Sequence, residues 1–167
     1  MNIMIEKATP ADAAALLAYL KQVGWETENL TFGAEGLPFT VEAETEYLAS
    51  MEHSRDNVML LAKLDGEVIG DASLSRMPRR MSHRGDLGMA VVKEYWNQGV
   101  GRRLLAEIIS FATENGFAII DLQVRSDNCA AIHLYEKFGF RKIGTHPAFF
   151  EMEGDRIPFD YMILELK

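Results

Sequence analysis

Residues 122–140 have the sequence LQVRSDNCAAIHLYEKFGF, in which a strand pattern changes to a helical one. The run Ala118–Val124 is short and mostly apolar, which is typical of a buried strand. Asn128 stands at the change of pattern, and asparagine is a common N-cap because its side chain accepts a hydrogen bond from the new helix. We therefore predict a strand over Ala118–Val124 and a helix from about Asn128 to Lys137.

A second junction lies upstream, where residues 89–105 have the sequence MAVVKEYWNQGVGRRLL. A strand passes here through a tight turn into a helix, whose first N–H groups lack intrahelical partners and carry the positive end of the macrodipole. Gly99 and Gly101 leave space for an anion at these amides, and Arg102 adds full positive charge. The turn fits a pyrophosphate site, and it fits equally well a close-packed turn with solvated arginines. It is neither a Walker motif nor a complete G-x-G-x-x-G, because Leu104 takes the place of the last glycine.

Taken together, the two junctions resemble the GNAT superfamily of N-acetyltransferases. The pattern V-R-x-x-N-x-x-A-I-x-L-Y-E-K-x-G-F follows Q-G-V-G-R at the distance usual for that superfamily. The resemblance is close over residues 86–145, and over the whole chain it extends to the order of elements. One position departs from it, because the family's turn begins with Gln or Arg and this sequence has Trp96. Since backbone amides supply most contacts in this turn, we expect affinity to survive and Trp96 to cover apolar surface.

The resemblance implies an α+β fold of three layers (α/β/α), formed by a single domain over residues 1–167. About seven strands would form a mixed, mostly antiparallel sheet between about four helices. The central strands, near 86–92 and 118–124, would splay apart. The remaining patterns predict strands over 2–7, Val58–Leu64, Glu67–Ser75, 140–150 and 158–166, and helices from Thr9, over about 41–53 and over Gly99–Asn115. The pair Asp65-Gly66 predicts a tight hairpin turn.

The resemblance also implies that the chain uses acetyl-coenzyme A as a cosubstrate and needs no metal. The pantetheine arm would pair with the main chain of one central strand, as an added strand does. The pyrophosphate would meet the amides of the glycine-containing turn. The implied coenzyme-binding residues are Met89, Ala90, Val91, Asn97, Gln98, Gly99, Val100, Gly101, Arg102 and Asn128.

Tyr135 falls on the position of the family's general acid, where a phenol with an ordinary pKa of about 10 stays protonated at neutral pH. Taken alone, this tyrosine also fits half-buried packing on an amphipathic helix. Gln123 stands where ribosomal-protein acetyltransferases of the superfamily have a glutamate base, and an amide does not take up a proton usefully. We therefore nominate Asp86, on the other central strand, as the base, directly or through water. His83 is a second candidate, and loss of the amine's proton to solvent before binding is a third.

The sequence leaves the acceptor open among primary amines of small molecules and of peptides. Five residues near the C terminus fit an acceptor cleft, a contact in a homodimer or plain core: Phe149, Phe150, Met152, Tyr161 and Met162. Trp25 and Phe32 lie in a predicted loop, and loops carry specificity more often than core elements do. These two residues are therefore acceptor-side candidates.

The 167-residue chain carries a formal net charge of −8, from 25 acidic and 17 basic residues. This charge disfavours nonspecific binding to nucleic acid or to an anionic membrane. A single cysteine, Cys129, excludes an internal disulfide, and the four histidines lack zinc-like spacing. The N-terminal residues lack the pattern of a signal peptide. We expect a cytoplasmic acetyl-coenzyme A-dependent N-acetyltransferase, and the alternative is a noncatalytic acyl-coenzyme A sensor of the same fold.

Overall fold

The computed structural model describes residues 1–167, which form seven strands and four α-helices. The strands are β1 (Ile3–Lys7), β2 (Asn57–Leu64), β3 (Glu67–Arg76), β4 (Arg84–Val91), β5 (Ile119–Arg125), β6 (Arg141–Met152) and β7 (Asp155–Glu165). The helices are α1 (Ala13–Glu26), α2 (Val41–Met51), α3 (Val100–Glu114) and α4 (Cys129–Lys137). Short 3₁₀ turns precede α1, β4 and α3.

The seven strands form one sheet in the order β1-β2-β3-β4-β5-β7-β6. Every neighbouring pair is antiparallel except β4 and β5, which run parallel and are joined through α3. Helices α1 and α2 cover one face of the sheet, and α3 lies on the other face with α4. The predicted α+β fold, with a mixed seven-stranded sheet between two helical layers, is confirmed.

Two apolar cores lie on opposite faces of the sheet. The larger surrounds α3, whose residues Leu104, Leu105 and Ile108 are completely buried. Their spacing places them on one face of the helix, as the sequence pattern predicts. The smaller core joins α1 and α2 to the sheet through residues such as Leu16 and Leu48.

Local turn chemistry sets several element boundaries. Asp65 and Gly66 both have positive φ, as a two-residue hairpin turn between β2 and β3 requires. Glu153 and Gly154 also have positive φ and form the two-residue turn between β6 and β7. Strand β7 therefore begins at Asp155, earlier than the predicted residue 158. The first α-helix begins at Ala13, later than predicted, because residues 10–12 form a 3₁₀ turn.

Candidate active site

The sheet opens between its two parallel central strands. Strands β4 and β5 pair only at Arg84–Ile119, Gly85–Ile120 and Asp86–Asp121. Beyond these pairs, β4 continues alongside β3 as far as Val91, and β5 continues alongside β7 as far as Arg125. The predicted splay is therefore present, and its vertex lies at the last pair.

The pairing of β4 with β3 determines which main-chain groups face this gap. Val92 donates its N–H to the carbonyl of Ile69, which identifies the hydrogen-bonded pairs of this antiparallel ladder. Because such pairs alternate, the polar groups of Ala90 point towards β3, whereas those of Met89 and Val91 point into the gap. Met89 and Val91 thus form the strand edge that faces the gap.

The side chain of Trp96 lies at the end of that edge. Its indole N–H donates to the carbonyl of Val91 over 2.7 Å, and the Lys93 ammonium lies 5.9 Å from its ring. Trp96 lines the cavity and remains 41% exposed. Its indole N–H therefore occupies the carbonyl of Val91 at this edge.

The N-terminus of α3 points its free amides into the same region. Gly99 is the N-cap and has a φ of 83°, a conformation that favours glycine. The first bond of the helix runs from Arg103 N–H to Gly99 O over 3.1 Å, so the amides of residues 100–102 have no intrahelical partner. A side chain at Gly101 would place its Cβ 3.3 Å from Leu134, so glycine here lets α3 approach α4 closely.

A cavity of about 870 Å³ connects these features. Nine of the ten residues nominated for the coenzyme line it: Met89, Ala90, Val91, Asn97, Gly99, Val100, Gly101, Arg102 and Asn128. Gln98 does not, because its side chain turns back and donates to the carbonyl of Glu94 over 2.8 Å. The two sequence junctions, about thirty residues apart, therefore meet around one cavity.

Tyr135 reaches the cavity from α4. The residue is only 7% exposed, and its ring packs 5.6 Å from the ring of Phe140. Its hydroxyl has no hydrogen-bond partner in the protein and is not enclosed, so it opens into the cavity that the residue lines. Burial raises the pKa of Tyr135 to about 12, which keeps the phenol protonated at neutral pH.

Asn128 caps α4 and also lines the cavity. Its side-chain oxygen accepts the N–H of Ala131 over 3.3 Å, as expected for an N-cap. The side-chain amide nitrogen makes no hydrogen bond to the protein and remains available to a ligand. The structural and ligand-binding roles of Asn128 are therefore compatible.

Asp86 stands at the vertex of the splay, outside the lining of the cavity. Its carboxylate accepts the side-chain amide of Gln123 over 3.3 Å, and Gln123 does line the cavity. Although the residue reaches the surface, partial burial of its carboxylate raises the pKa of Asp86, with a smaller contribution from the charge of Asp121. His83 is exposed and precedes the paired segment, so three strand pairs separate it from the gap.

The acceptor-side candidates have different surroundings. Trp25 is 78% exposed, and Phe32 packs against the smaller core, so neither lines the cavity. Trp25 lies in the last turn of α1 and not in the predicted loop. Residues Thr27, Asn29 and Leu30, in the loop after α1, do line the cavity, and no motif in the sequence singles them out.

Of the five C-terminal candidates, one is buried and four are partly buried. Met162 is buried in the larger core, in agreement with the interpretation of these residues as plain core. The rings of Phe149 and Phe159 stack with their centroids 4.4 Å apart, and the rings of Tyr161 and Phe149 meet edge to face with their centroids 6.3 Å apart. Tyr161 is the cross-strand partner of Gln123, so this aromatic cluster adjoins the polar pair at the vertex.

No group of three or more His, Cys, Asp or Glu side chains is arranged to hold a metal ion. None of the four helices is both long and apolar enough to cross a membrane.

This α+β domain has a splayed sheet beside a helix N-terminus that glycine caps. Comparison with known proteins identifies the family to which the domain belongs. Residues 18–140 match the acetyltransferase (GNAT) family. This chain belongs to the GNAT acetyltransferase family. A solved structure of a GNAT-family acetyltransferase from Streptococcus pneumoniae matches 99% of this chain and 100% of its own, with 33% identity and a TM-score of 0.95.

Curated relatives are similar over part of the chain. N-alpha-acetyltransferase RimI of Mycobacterium tuberculosis is 33% identical over 94 residues, which are 56% of this chain and 58% of the relative. L-amino acid N-acetyltransferase AaaT of Escherichia coli is 34% identical over 106 residues, 62% of this chain and 65% of the relative. The matches thus span about three fifths of these curated relatives.

Proposed function

We propose that this protein transfers the acetyl group of acetyl-coenzyme A to a primary amine of a small molecule or peptide. The proposal rests on one observation above all. The open edge of β4, the unpaired amides of α3 and the free hydroxyl of Tyr135 face a single cavity. An extended, anionic thioester has a complementary group in each of these places.

The residues of the cavity fit the two parts of the coenzyme. The N–H and carbonyl of Met89 and the N–H of Val91 suit the amides of pantetheine, which would add to β4 in the manner of a short strand. The carbonyl of Val91 already accepts the indole N–H of Trp96. The amides at the start of α3 suit a pyrophosphate, with support from the helix dipole and from Arg102. The side-chain amide of Asn128 is a further donor.

The proposed reaction is direct attack of the neutral amine on the thioester carbonyl. The new C–N bond forms as the carbonyl oxygen becomes an oxyanion, which a gap-facing N–H of β4 stabilises. The C–S bond then breaks, and Tyr135 donates its proton to the departing sulfur. Water returns a proton to the phenolate. Because the pKa of Tyr135 lies above the usual thiol value of about 8.5, collapse of the intermediate has to drive this transfer.

Asp86 is the proposed acceptor of the proton that the attacking amine loses, directly or through water. Its carboxylate lies at the vertex of the splay, and Gln123 holds it by a hydrogen bond. Its raised pKa makes it a stronger base than an ordinary aspartate. His83, the second candidate, lies beyond the paired segment and is less well placed.

The acceptor is proposed only as a class. The names of the relatives specify N-alpha-acetylation for one and L-amino acids for the other. Residues Thr27, Asn29 and Leu30 border the cavity from the loop after α1, and they are the side chains through which this chain would select its own acceptor.

The test is release of free thiol from acetyl-coenzyme A across a panel of amines. The panel contains amino acids, polyamines, aminoglycosides and short peptides with free N-termini, and mass spectrometry identifies each product. We expect thiol release that depends on the amine, with one acetyl group added to it. Tight binding of acetyl-coenzyme A without any acetylated product would instead support the noncatalytic sensor.

A further inference from the structure

A buried hydroxyl connects α1 to the strand that borders the gap. The Tyr19 hydroxyl oxygen lies 2.8 Å from Asp71 Oδ1 and 2.8 Å from the carbonyl oxygen of Ala90. Tyr19 is 3% exposed and Asp71 is 8% exposed. Asp71 and Ala90 are also cross-strand partners in β3 and β4, so the three groups form a closed contact.

The number of hydrogens available for the two contacts restricts the protonation state of Asp71. A tyrosine hydroxyl carries one hydrogen, and a carbonyl oxygen only accepts. If Asp71 were ionised, Tyr19 would face two acceptors at 2.8 Å with one proton between them. Both contacts are hydrogen bonds only when Asp71 is protonated and donates to Tyr19, which in turn donates to Ala90.

The surroundings of Asp71 favour this neutral form. Helix α1 presents Tyr19 to it, and the other ionisable group of α1 that acts on Tyr19 is Glu26, an anion. Strand β2 presents Leu61 as the cross-strand neighbour, and β4 presents Ala90. Asp71 has no cationic partner, and burial raises its pKa to about 7, within the physiological range.

Ionisation of Asp71 would act on the strand edge that faces the gap. Once the Asp71 carboxylate is charged, it accepts the hydrogen bond that the Tyr19 hydroxyl donates. The oxygen atoms of Tyr19 and Ala90 then face each other with no proton between them, and they repel. Ala90 lies between Met89 and Val91, whose polar groups point into the gap. A shift of Ala90 away from α1 therefore displaces both.

We propose that Asp71 and Tyr19 are positioning residues that hold β4 in its coenzyme-binding geometry while Asp71 is protonated, and that loss of this proton weakens binding of acetyl-coenzyme A. The inference rests on the proposed function for its ligand. The proton-dependent shift of β4 belongs to the free protein and is measurable without a ligand.

The first part of the test uses the ligand-free protein. Amide resonances of Met89, Ala90 and Val91 are followed from pH 5 to 9 in wild type, Asp71→Asn and Tyr19→Phe. Asparagine donates to Tyr19 as protonated aspartate does, so Asp71→Asn imitates the neutral state at every pH. We expect the resonances to titrate together near pH 7 in wild type and not in Asp71→Asn. Tyr19→Phe keeps the carboxyl of Asp71 but lacks the hydroxyl through which it acts on Ala90, so the change in these resonances should be smaller than in wild type.

The second part measures acetyl-coenzyme A affinity by calorimetry at pH 6 and pH 8. The dissociation constant of wild type should rise roughly fivefold more than that of either variant, the lower end of typical coupling between linked equilibria. Titration of the coenzyme's own phosphates is common to all three proteins and cancels in the comparison. Equal pH dependence in wild type and Asp71→Asn, or β4 amides that do not titrate, would overturn the proposal. Titrating amides in a protein that binds no acetyl-coenzyme A at any pH would refute the proposed function and leave the movement of β4 supported.

Discussion

The side-chain amide of Gln123 donates to the carboxylate of Asp86 over 3.3 Å, across the point where their two strands separate. Gln123 belongs to β5 and faces the cavity, whereas Asp86 belongs to β4 and lies at the vertex. Gln123 stands at the position where ribosomal-protein acetyltransferases of the superfamily have a glutamate, and here its amide is paired with a carboxylate. In this chain the carboxylate at this place belongs to β4, the neighbouring strand.

The first prediction concerns the acid limb of the pH profile. Asp86 must be ionised to accept a proton, and its folded pKa lies above the ordinary value of 3.8. The kcat/KM of wild type should therefore fall as pH decreases through that raised pKa. Asp86→Asn should lower kcat/KM roughly 10²-fold, the lower range for a lost acid–base group, and abolish this limb. The measurement is kcat/KM between pH 4.5 and 9 with an accepted amine.

Asp121→Asn is the matched control for that profile. Asp121 is the strand partner of Asp86, and its charge helps to raise the pKa of Asp86. Its removal should shift the acid limb to lower pH while the limb itself persists. An unchanged limb in Asp86→Asn would exclude Asp86 as the base and favour loss of the amine's proton to solvent.

The second prediction concerns the anion site at the N-terminus of α3. Gly99→Val should weaken binding of acetyl-coenzyme A roughly tenfold or more, equivalent to losing one hydrogen bond to a charged group. Gly66→Val is the matched control, because Gly66 has a φ of 87°, and neither glycine has a neighbouring atom within 4 Å of an added Cβ.

Both valine variants should lose similar stability, since each forces a branched residue into the left-handed region. Only Gly99→Val should lose affinity, because Gly66 lies outside the cavity. Thermal unfolding and calorimetric titration of the two variants make the comparison. Equal affinity in both would remove the α3 turn from the coenzyme site.

The parts of this structure that depend on neighbouring residues could be predicted from the sequence. The turn at Asp65 and Gly66, the apolar face of α3 and the cap at Asn128 each follow from local geometry and spacing. The splay of the central strands came from the resemblance, because strand pairing depends on contacts that a local pattern does not record.

The third prediction concerns Tyr135. Tyr135→Phe keeps the ring and its packing against Phe140 but removes the hydroxyl that opens into the cavity. Because this hydroxyl has no protein partner, the melting temperature and the affinity for acetyl-coenzyme A should change little. The kcat should fall by roughly 10²–10⁴-fold. Full activity, with the chemical step shown to be rate-limiting, would exclude Tyr135 as the acid.

Other parts of the site could not be predicted from the sequence, because they join residues that are far apart in the chain. The hydroxyl of Tyr19 meets Asp71 across 52 positions and Ala90 across 71, and no spacing rule connects residues so far apart. Asn29 and Leu30 belong to a loop without a motif, and only the fold brings them to the cavity. Gln98 departs from the other turn residues because its side chain finds a nearby carbonyl.

The central claim is that the gap between β4 and β5 is a site for acetyl-coenzyme A. Calorimetric titration of the wild-type protein with acetyl-coenzyme A, coenzyme A, ATP and NAD at equal concentration tests it most directly. We expect one site per chain for acetyl-coenzyme A and coenzyme A, with ATP and NAD much weaker, because only the coenzyme combines a pyrophosphate for the α3 amides with an arm for the edge of β4. Equal affinity for all four ligands, or no binding of acetyl-coenzyme A, would exclude this gap as the coenzyme site.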